Sequence, residues 1–373
     1  MAEQFQGSIA QKNVQFPIET VVTPIAGENY ARTVIFIPIS QAETYLPGVT
    51  QPQAGKLYEI KSSNYVALTG GRLYSWLVPF FKKATSALVG VAVYDDAEET
   101  TDETLTMTKV FETFKVWGYF KLAVTADEAY TAAQVNLSTL CLAEPLYSQH
   151  WIGTWDSNVL TEESTLITAL MTGASNSRVI YNPDQAINPA LAQLGRTLSA
   201  INATGTPVGN SIDQVGFDTI QASGADGNNL TAAECAVLDS QKIGYNTWVD
   251  GIGSGNVTTE GSMTLQGDLC GANWVKAYIE FRCKVRTAIY ITQMNVFRGN
   301  PTYQGILGIL ADEVNPFLEM GRLADFENTA PEFRDLPASG DTITVPDAWH
   351  ATYIDNVREV DVYGTLYVTN PTR

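Results

Sequence analysis

The chain closes on a strongly alternating segment, residues 357–369, with the sequence VREVDVYGTLYVT. From Val360 to Val368 its aliphatic residues and Gly364 occupy every second position, which is the period of a β-strand with one buried face. A strand needs hydrogen-bonding partners for its backbone, and the turn-rich, acidic residues before this segment predict no second strand beside it. The partner therefore lies elsewhere in the fold, either in the same subunit or in a neighbouring copy, and the pattern leaves both alternatives open.

Composition narrows the class of protein. With 373 residues, 45% of them apolar and 17% charged, the chain can bury a substantial core in two or three packed units. The many hydroxyl and amide side chains suit hydrogen-bonded interfaces, as in extracellular or particle-forming proteins. A net charge of −18 opposes binding to nucleic acid or an anionic membrane, which requires clustered Lys and Arg. We also expect no Sec signal and no membrane insertion, because no segment has the required apolar run.

The order of predicted elements indicates an α/β fold of mixed α+β character. Helices and strands alternate between residues 126 and 249, which is typical of a layered α/β core with some parallel strand pairing. Pro79 is expected to interrupt the helix that precedes it in sequence. We predict an N-terminal arm over residues 1–28, an α/β or β-rich region over 29–145, a core α/β domain over 146–355 and a C-terminal strand arm over 356–373.

Residues from Gly271 onward form the most strongly patterned helix. At about 100° per residue, a single stripe collects Trp274, Tyr278, Phe281, Val285 and Ile289. Its flanks and far side carry the basic residues Lys276, Arg282, Lys284 and Arg286. The stripe predicts core packing. The basic residues predict either a solvated face or a docking face for an acidic neighbour.

A second amphipathic helix is predicted over residues 302–320. Its broad apolar face is expected to turn Asp312, Glu313 and Glu319 mostly away from the core. Pro316 predicts a kink or a restart of the helix, and Gly321 is a suitable residue to follow its end.

The sequence gives little support to an enzyme. The two histidines, His150 and His350, stand in neither a metal-ligand nor a catalytic-triad spacing, so we interpret them as structural. The sequence GIGSGN at 251–256 lacks the lysine of a phosphate-binding loop and is interpreted as a turn. We expect no cofactor and no metal site. A glycosidase remains a minor alternative, because paired carboxylates cannot be located from sequence.

Several motifs near the C-terminus follow one another in an informative order. A strand ending in aromatic residues, YNTWVDG, leads through a glycine turn, EGSMTLQGD, into a helix with an aromatic residue near its start, NWVKAYIEF. A link of the type N-P-x-Y-x-G, here NPTYQG, begins the next helix, and the chain closes on REVDVYGTLYV. In this order the chain resembles the contractile tail sheath proteins of myoviruses, in particular a compact sheath-like family. The resemblance covers roughly the last third of the chain, and the middle region in element order.

The resemblance implies a structural subunit without catalytic activity. Sheath subunits stack as hexameric rings around a tail tube and contract to drive the tube through the host envelope, and their terminal arms insert as strands into sheets of neighbouring subunits. The implied partners are further copies of the chain, the tail tube protein, and the baseplate and tail terminator proteins. The implied location is the phage tail of the virion, after assembly in the host cytoplasm. Another virion structural protein, of the tail tube, capsid or surface-layer type, is the alternative.

The resemblance also suggests site residues. The strand arms would use Val14, Phe16, Ile18, Val360, Val362, Gly364, Leu366 and Val368. Contacts to the tube or a neighbour would use Lys276, Arg282, Lys284, Arg286, Asp312, Glu313 and Glu319. Of the four cysteines, Cys235 and Cys283 are the candidates for disulfides between subunits, with buried or idle thiols as the alternative, and Cys283 is expected to be more exposed than Cys270.

Overall fold

The fold is seen in a computed structural model. It describes residues 31–46, 52–85, 87–95, 120–125, 131–143, 148–173, 177–204, 230–245, 247–249, 253–257, 264–268, 270–293, 299–336 and 349–353. Both predicted arms lie outside these residues, so Val14, Phe16, Ile18, Val360, Val362, Gly364, Leu366 and Val368 stay predictions.

A seven-stranded sheet forms the centre of the described fold. Its strands are β1 (Ala31–Pro38), β2 (Leu57–Lys61), β3 (Leu88–Tyr94), β4 (Phe120–Thr125), β5 (Ser148–Thr154), β6 (Ser177–Tyr181) and β7 (Gly244–Tyr245). They lie in the order β2-β3-β1-β4-β5-β6-β7. Only β2 is antiparallel to its neighbour, and all other pairs are parallel. Parallel sheets are covered on both faces, which explains the continuous apolar runs in β1 and β3.

Helices cover both faces of this sheet. They are α1 (Ala42–Tyr45), α2 (Arg72–Lys83), α3 (Thr131–Ala143), α4 (Thr165–Thr172), α5 (Pro189–Thr204), α6 (Ala232–Ser240), α7 (Cys270–Gln293) and α8 (Asn300–Glu319). Side-chain caps begin three of them. The Ser164 hydroxyl accepts a hydrogen bond from the Ile167 amide before α4, Asn188 Oδ1 accepts one from the Leu191 amide before α5, and Thr231 forms a capping box with Glu234 before α6. The predicted α/β fold with parallel pairing is confirmed.

The two faces of the sheet bury separate sets of side chains. On one face α2, α5 and α7 share the main core with residues such as Ile35, Trp151 and Trp274. On the other face α3, α4 and α6 cover side chains such as Phe36 and Ile152. Helices α2 and α5 cross closely at Gly195, where a Cβ atom would stand 2.7 Å from the Phe80 backbone. This is a three-layer α/β/α arrangement.

The boundary expected between residues 145 and 146 falls between β4 and β5, which are hydrogen-bonded neighbours in this sheet. Strands from both predicted regions therefore build one sheet. No change in the apolar pattern marks that position, because the strands before it and after it belong to one buried sheet.

Two small antiparallel sheets complete the described strands. One pairs β8 (Thr247–Val249) with β9 (Gly253–Val257), and the other pairs β10 (Leu323–Asn328) with β11 (Trp349–Tyr353). The second pair lies where the sequence predicted only a turn-rich, acidic stretch. It directly precedes the predicted C-terminal arm.

The interruption expected at Pro79 and the restart expected at Pro316 are not observed, whereas the kink expected at Pro316 stays a prediction. Helix α2 runs through Pro79, and α8 runs through Pro316 to Glu319. A proline removes one hydrogen bond to the carbonyl four residues earlier. Only about one further turn of helix follows each proline, and buried side chains in that turn, such as Phe80 and Phe317, hold it against the main core. The prediction that Gly321 follows the end of α8 is confirmed, because this glycine has a φ of 68°.

Candidate functional site

Helix α7 is covered on more than one side. Among its described side chains, only those of Lys276, Ile289 and Thr292 are exposed. Trp274, Tyr278 and Phe281 are buried as predicted, but Ile289 is 44% exposed, because the α7 residues that pack against the main core end at Val285. Lys284, predicted on the basic side of the helix, is buried, and this burial lowers its pKa to about 8.

Helix α8 packs on α7 through an apolar contact. Tyr278 and Phe317 meet nearly edge to face, with ring centroids 5.7 Å apart. Val314 and Phe317 are fully buried in the main core. Farther along the pair, Gly305 lies so close to Tyr290 that a Cβ atom would stand 2.5 Å from its hydroxyl oxygen. The two helices are thus held together over most of their length.

An ion-pair cluster lies between these contacts. Arg282 Nε donates to Glu313 Oε2 at 3.2 Å, and Arg286 Nη1 donates to Glu313 Oε1 at 3.0 Å. Arg286 Nη2 also donates to Asp312 Oδ2 at 2.9 Å. The Glu313 side chain is only 8% exposed, whereas those of the two arginines are 28% and 36% exposed. A buried carboxylate is therefore neutralised by two half-exposed guanidinium groups.

This cluster changes the interpretation of the predicted contact residues. Arg282 and Arg286 do have an acidic neighbour, but within the described residues that neighbour is α8 of the same chain. Glu313 was expected to face away from the core and is buried, because its two arginine partners compensate the cost of removing its charge from water. Lys276, Asp312 and Glu319 remain exposed.

The ion-pair cluster gives a direct test by substitution. We expect Glu313→Gln to lower the free energy of unfolding by roughly 2 kcal/mol, because it leaves two arginines beside a buried neutral group. Asp312→Asn, whose side chain is 60% exposed, is the matched control and is expected to cost less than about 1 kcal/mol. Urea unfolding at neutral pH measures both. Equal losses of stability in the two variants would show that the buried Glu313 contributes no more to stability than the exposed Asp312.

The two cysteines predicted to link subunits are both half-buried. Burial, with Glu313 nearby, raises the pKa of Cys283 to about 12. Burial also raises the pKa of Cys235. Because the thiolate is the species that attacks a disulfide, both thiols are poor starting points for exchange in this state of the chain. Cys283 is more exposed than the fully buried Cys270, as predicted.

The β10–β11 sheet is the second candidate surface. Leu323 is buried, and Phe326, Trp349 and Ala351 are half-buried against the main core, with the Phe326 and Trp349 rings 6.3 Å apart. The pairing shifts register between Ala324 and Glu327, which marks a β-bulge in β10. Among the described residues, no third strand pairs with this sheet.

The histidines occupy different environments. His150 is fully buried, and its Nδ1 atom lies 2.9 Å from the Ser177 hydroxyl, which donates to the Ser138 hydroxyl at 2.7 Å. Burial lowers the pKa of His150 to about 3, so the ring is neutral at physiological pH. These are the features of the structural histidine that we predicted. His350 is exposed in β11, opposite Glu327.

Neither a metal-binding group nor a membrane-spanning helix occurs within the described residues. No group of three or more His, Cys, Asp or Glu side chains there is arranged to hold a metal ion. None of the helices in that part of the chain has the length and apolar character needed to cross a membrane.

Comparisons with known proteins leave the family open. No protein-family model matches the chain, and no curated protein sequence is significantly similar to it.

Two parts of the candidate site were missed in the sequence. The Glu313 cluster had a signal, because Arg282 and Arg286 lie one turn apart and two adjacent acids occur in the next helix. Antiparallel packing of the two helices was needed to turn that signal into a pairing. The β10–β11 sheet had almost no signal in the sequence, since β10 has the sequence LADFEN, in which apolar and polar residues alternate poorly.

Proposed function

We propose that this chain is a structural subunit of a contractile phage tail sheath. The motif order near the C-terminus supports the family. The observation that carries the proposal is the β10–β11 sheet: a two-stranded sheet with a half-covered apolar face stands directly before an alternating strand that needs a partner. A two-stranded sheet is marginal by itself and gains from added strands. Strand addition between copies satisfies both segments at once.

In this proposal the assembly consists of stacked hexameric rings around a tail tube. The arms over residues 1–28 and 356–373 connect neighbouring copies, and main-chain hydrogen bonds supply the affinity of each connection. Contraction then requires subunits to move as rigid bodies while the arms keep them linked. The three-layer core, with its closely packed faces, suits a unit that moves without bending.

The exposed charges support a contact with a tube or a neighbouring subunit. Lys276, Asp312 and Glu319 are exposed, and Arg286 is partly exposed at the rim of its ion pairs. These four residues keep the predicted role. Lys284 and Glu313 are buried and would act only by holding the helix pair in place. Direct contact with nucleic acid has no support in a chain of charge −18.

Electron microscopy of the purified protein tests the proposal. We expect striated cylinders of uniform diameter at high protein concentration, because strand addition through the arms would link each copy to the next. Shells or flat lattices would support the capsid or surface-layer alternative. A monomer that persists at high concentration, with and without tail tubes, would contradict a sheath subunit.

A further inference from the structure

The outer face of α2 carries an exposed apolar patch. Tyr65, in the helical turn just before α2, stacks on Tyr74 with ring centroids 5.6 Å apart, and its ring lies 5.1 Å from that of Phe81. Tyr74 and Phe81 are two helical turns apart, so Val78 lies between them on the same face. Val78 is 38% exposed, and Val66, next to Tyr65, is 56% exposed. Contiguous exposed apolar surface of this kind marks an interaction site.

Lysines surround this patch. Lys82 lies one helical turn beyond Val78 on the same face of α2, and Lys61 ends β2, just before the turn that leads into α2. Lys83 ends α2, and all three lysines are exposed. Residues 52–85 contain five basic residues and one acid, in a chain whose net charge is −18. We name the patch and its three lysines the basic surface. Its chemistry fits a protein face that is both apolar and acidic.

A face with that chemistry lies at the other end of the large sheet. Helix α6 leads into β7, which is the edge strand opposite β2 in the described sheet. Ala233, Ala236 and Ser240 are exposed and share one face of α6, at spacings of three and four residues. The Ser240 hydroxyl donates to Glu162 Oε1 at 3.0 Å, and this contact brings the exposed acids Glu162 and Glu163 to the end of that face.

Acidic side chains prevail at this end of the sheet. The half-buried Asp239, on α6, adds a third carboxylate. Residues 148–173 and 230–245 contain one basic residue, Lys242, and its Nζ atom donates to the Leu265 carbonyl at 3.4 Å. We name the exposed alanines of α6 and the three acids the acidic surface.

We propose that the basic surface of one copy binds the acidic surface of a second copy. The two surfaces carry opposite charges and both expose apolar side chains, so their contact removes apolar area from water and brings lysines to carboxylates. Six strand spacings of about 4.8 Å, or about 29 Å, separate the two edges of the sheet. The surfaces therefore do not meet within one chain.

A contact between two different surfaces is head to tail. Each copy keeps a surface of either kind for a further copy, and the resulting series closes into a ring or continues as a helix, depending on the rotation between copies. The pairing of the two surfaces rests on their exposure and charge. Only closure of the series into a six-membered ring rests on the proposed function. The contact uses neither terminal arm, so it adds to strand exchange between copies and does not depend on it.

Charge reversal in the full chain tests this pairing. One variant combines Lys61→Glu with Lys82→Glu, and the other combines Glu162→Lys with Glu163→Lys. We expect each variant alone to self-associate at least about tenfold more weakly than the wild type at low salt, because like charges then face each other. A mixture of equal amounts is expected to regain association, because each reversed surface meets a surface of opposite charge on the other variant. Analytical ultracentrifugation measures all three samples.

The matched control combines Lys56→Glu with Arg334→Glu. Both residues are exposed and lie outside the two surfaces, and this pair changes the net charge by the same amount as the lysine variant. We expect the control to associate as the wild type does. Circular dichroism and thermal unfolding check that every variant is folded.

Three results would overturn the pairing: self-association that survives either reversal, a mixture that stays as weak as its components, or an equal loss in the control. A wild type that stays monomeric at every concentration would overturn the second copy as the occupant. Cylinders formed by both reversal variants would reject this inference alone. Association that is lost in the variants and regained in the mixture, without cylinders from the wild type, would reject the proposed function alone.

Discussion

Removal of residues 357–373 is expected to abolish cylinder formation and to leave a folded subunit. We expect the truncated chain to keep the sheet, its helices and the α7–α8 pair, because the described residues already form a sheet that is covered by helices on both faces. What it loses is the strand that connects copies, and with it the main-chain hydrogen bonds of each connection. Analytical ultracentrifugation and electron microscopy measure assembly, while circular dichroism and thermal unfolding measure the fold.

A matched pair of substitutions guards against a general effect of truncation. Val362→Asp places a charge on the apolar face of the segment, whereas Thr365→Asp places the same charge on the opposite face. We expect the first to block assembly and the second to preserve it. The prediction that truncation leaves a folded subunit would be contradicted by a truncated chain without a cooperative unfolding transition. The segment would then belong to the core of its own subunit.

The fold class followed from apolar periodicity, and particular strands show why. The β1 and β3 sequences are continuous apolar runs, because both of their faces are covered by helices. The helices α7 and α8 were recognised for a similar reason, since their apolar stripes are long. By contrast, β10 is short, bears two exposed acids and contains a bulge. A strand of that kind has no periodic signal, and only its pairing with β11 defines it.

The candidate site was predicted less well than the fold, for a different physical reason. Sequence periodicity tells which residues share a helix face but not which element covers that face. Arg282 and Arg286 were assigned to an external acidic partner, and α8 supplies that partner through Glu313. Lys284 was assigned to the same external contact, with a solvated face as the alternative, and is buried. Both outcomes depend on how many elements surround α7, which is a property of the tertiary structure.

His150 makes the stability of the fold depend on pH in a predictable direction. Its pKa is about 3 in the folded chain and about 6.5 when unfolded. Between these values the unfolded chain binds a proton that the folded chain refuses, so stability falls as the pH falls. The contribution of a neutral His150 is complete above pH 6.5 and is lost progressively towards pH 3. From pH 7 to pH 4 this one residue is expected to cost about 3 kcal/mol.

Urea unfolding of the wild type and of His150→Gln at a series of pH values isolates this effect, because the many carboxylates contribute equally to both chains. We expect the variant to be less stable at pH 7, since it disturbs the hydrogen bonds with Ser177 and Ser138. It should nevertheless lose about 3 kcal/mol less than the wild type on going to pH 4. His350→Gln, at an exposed position, is the control and should follow the wild-type curve. Parallel curves for the wild type and His150→Gln would mean that His150 takes up its proton in the folded chain, and that the polar cluster it forms with the two serines has room to solvate a charged ring.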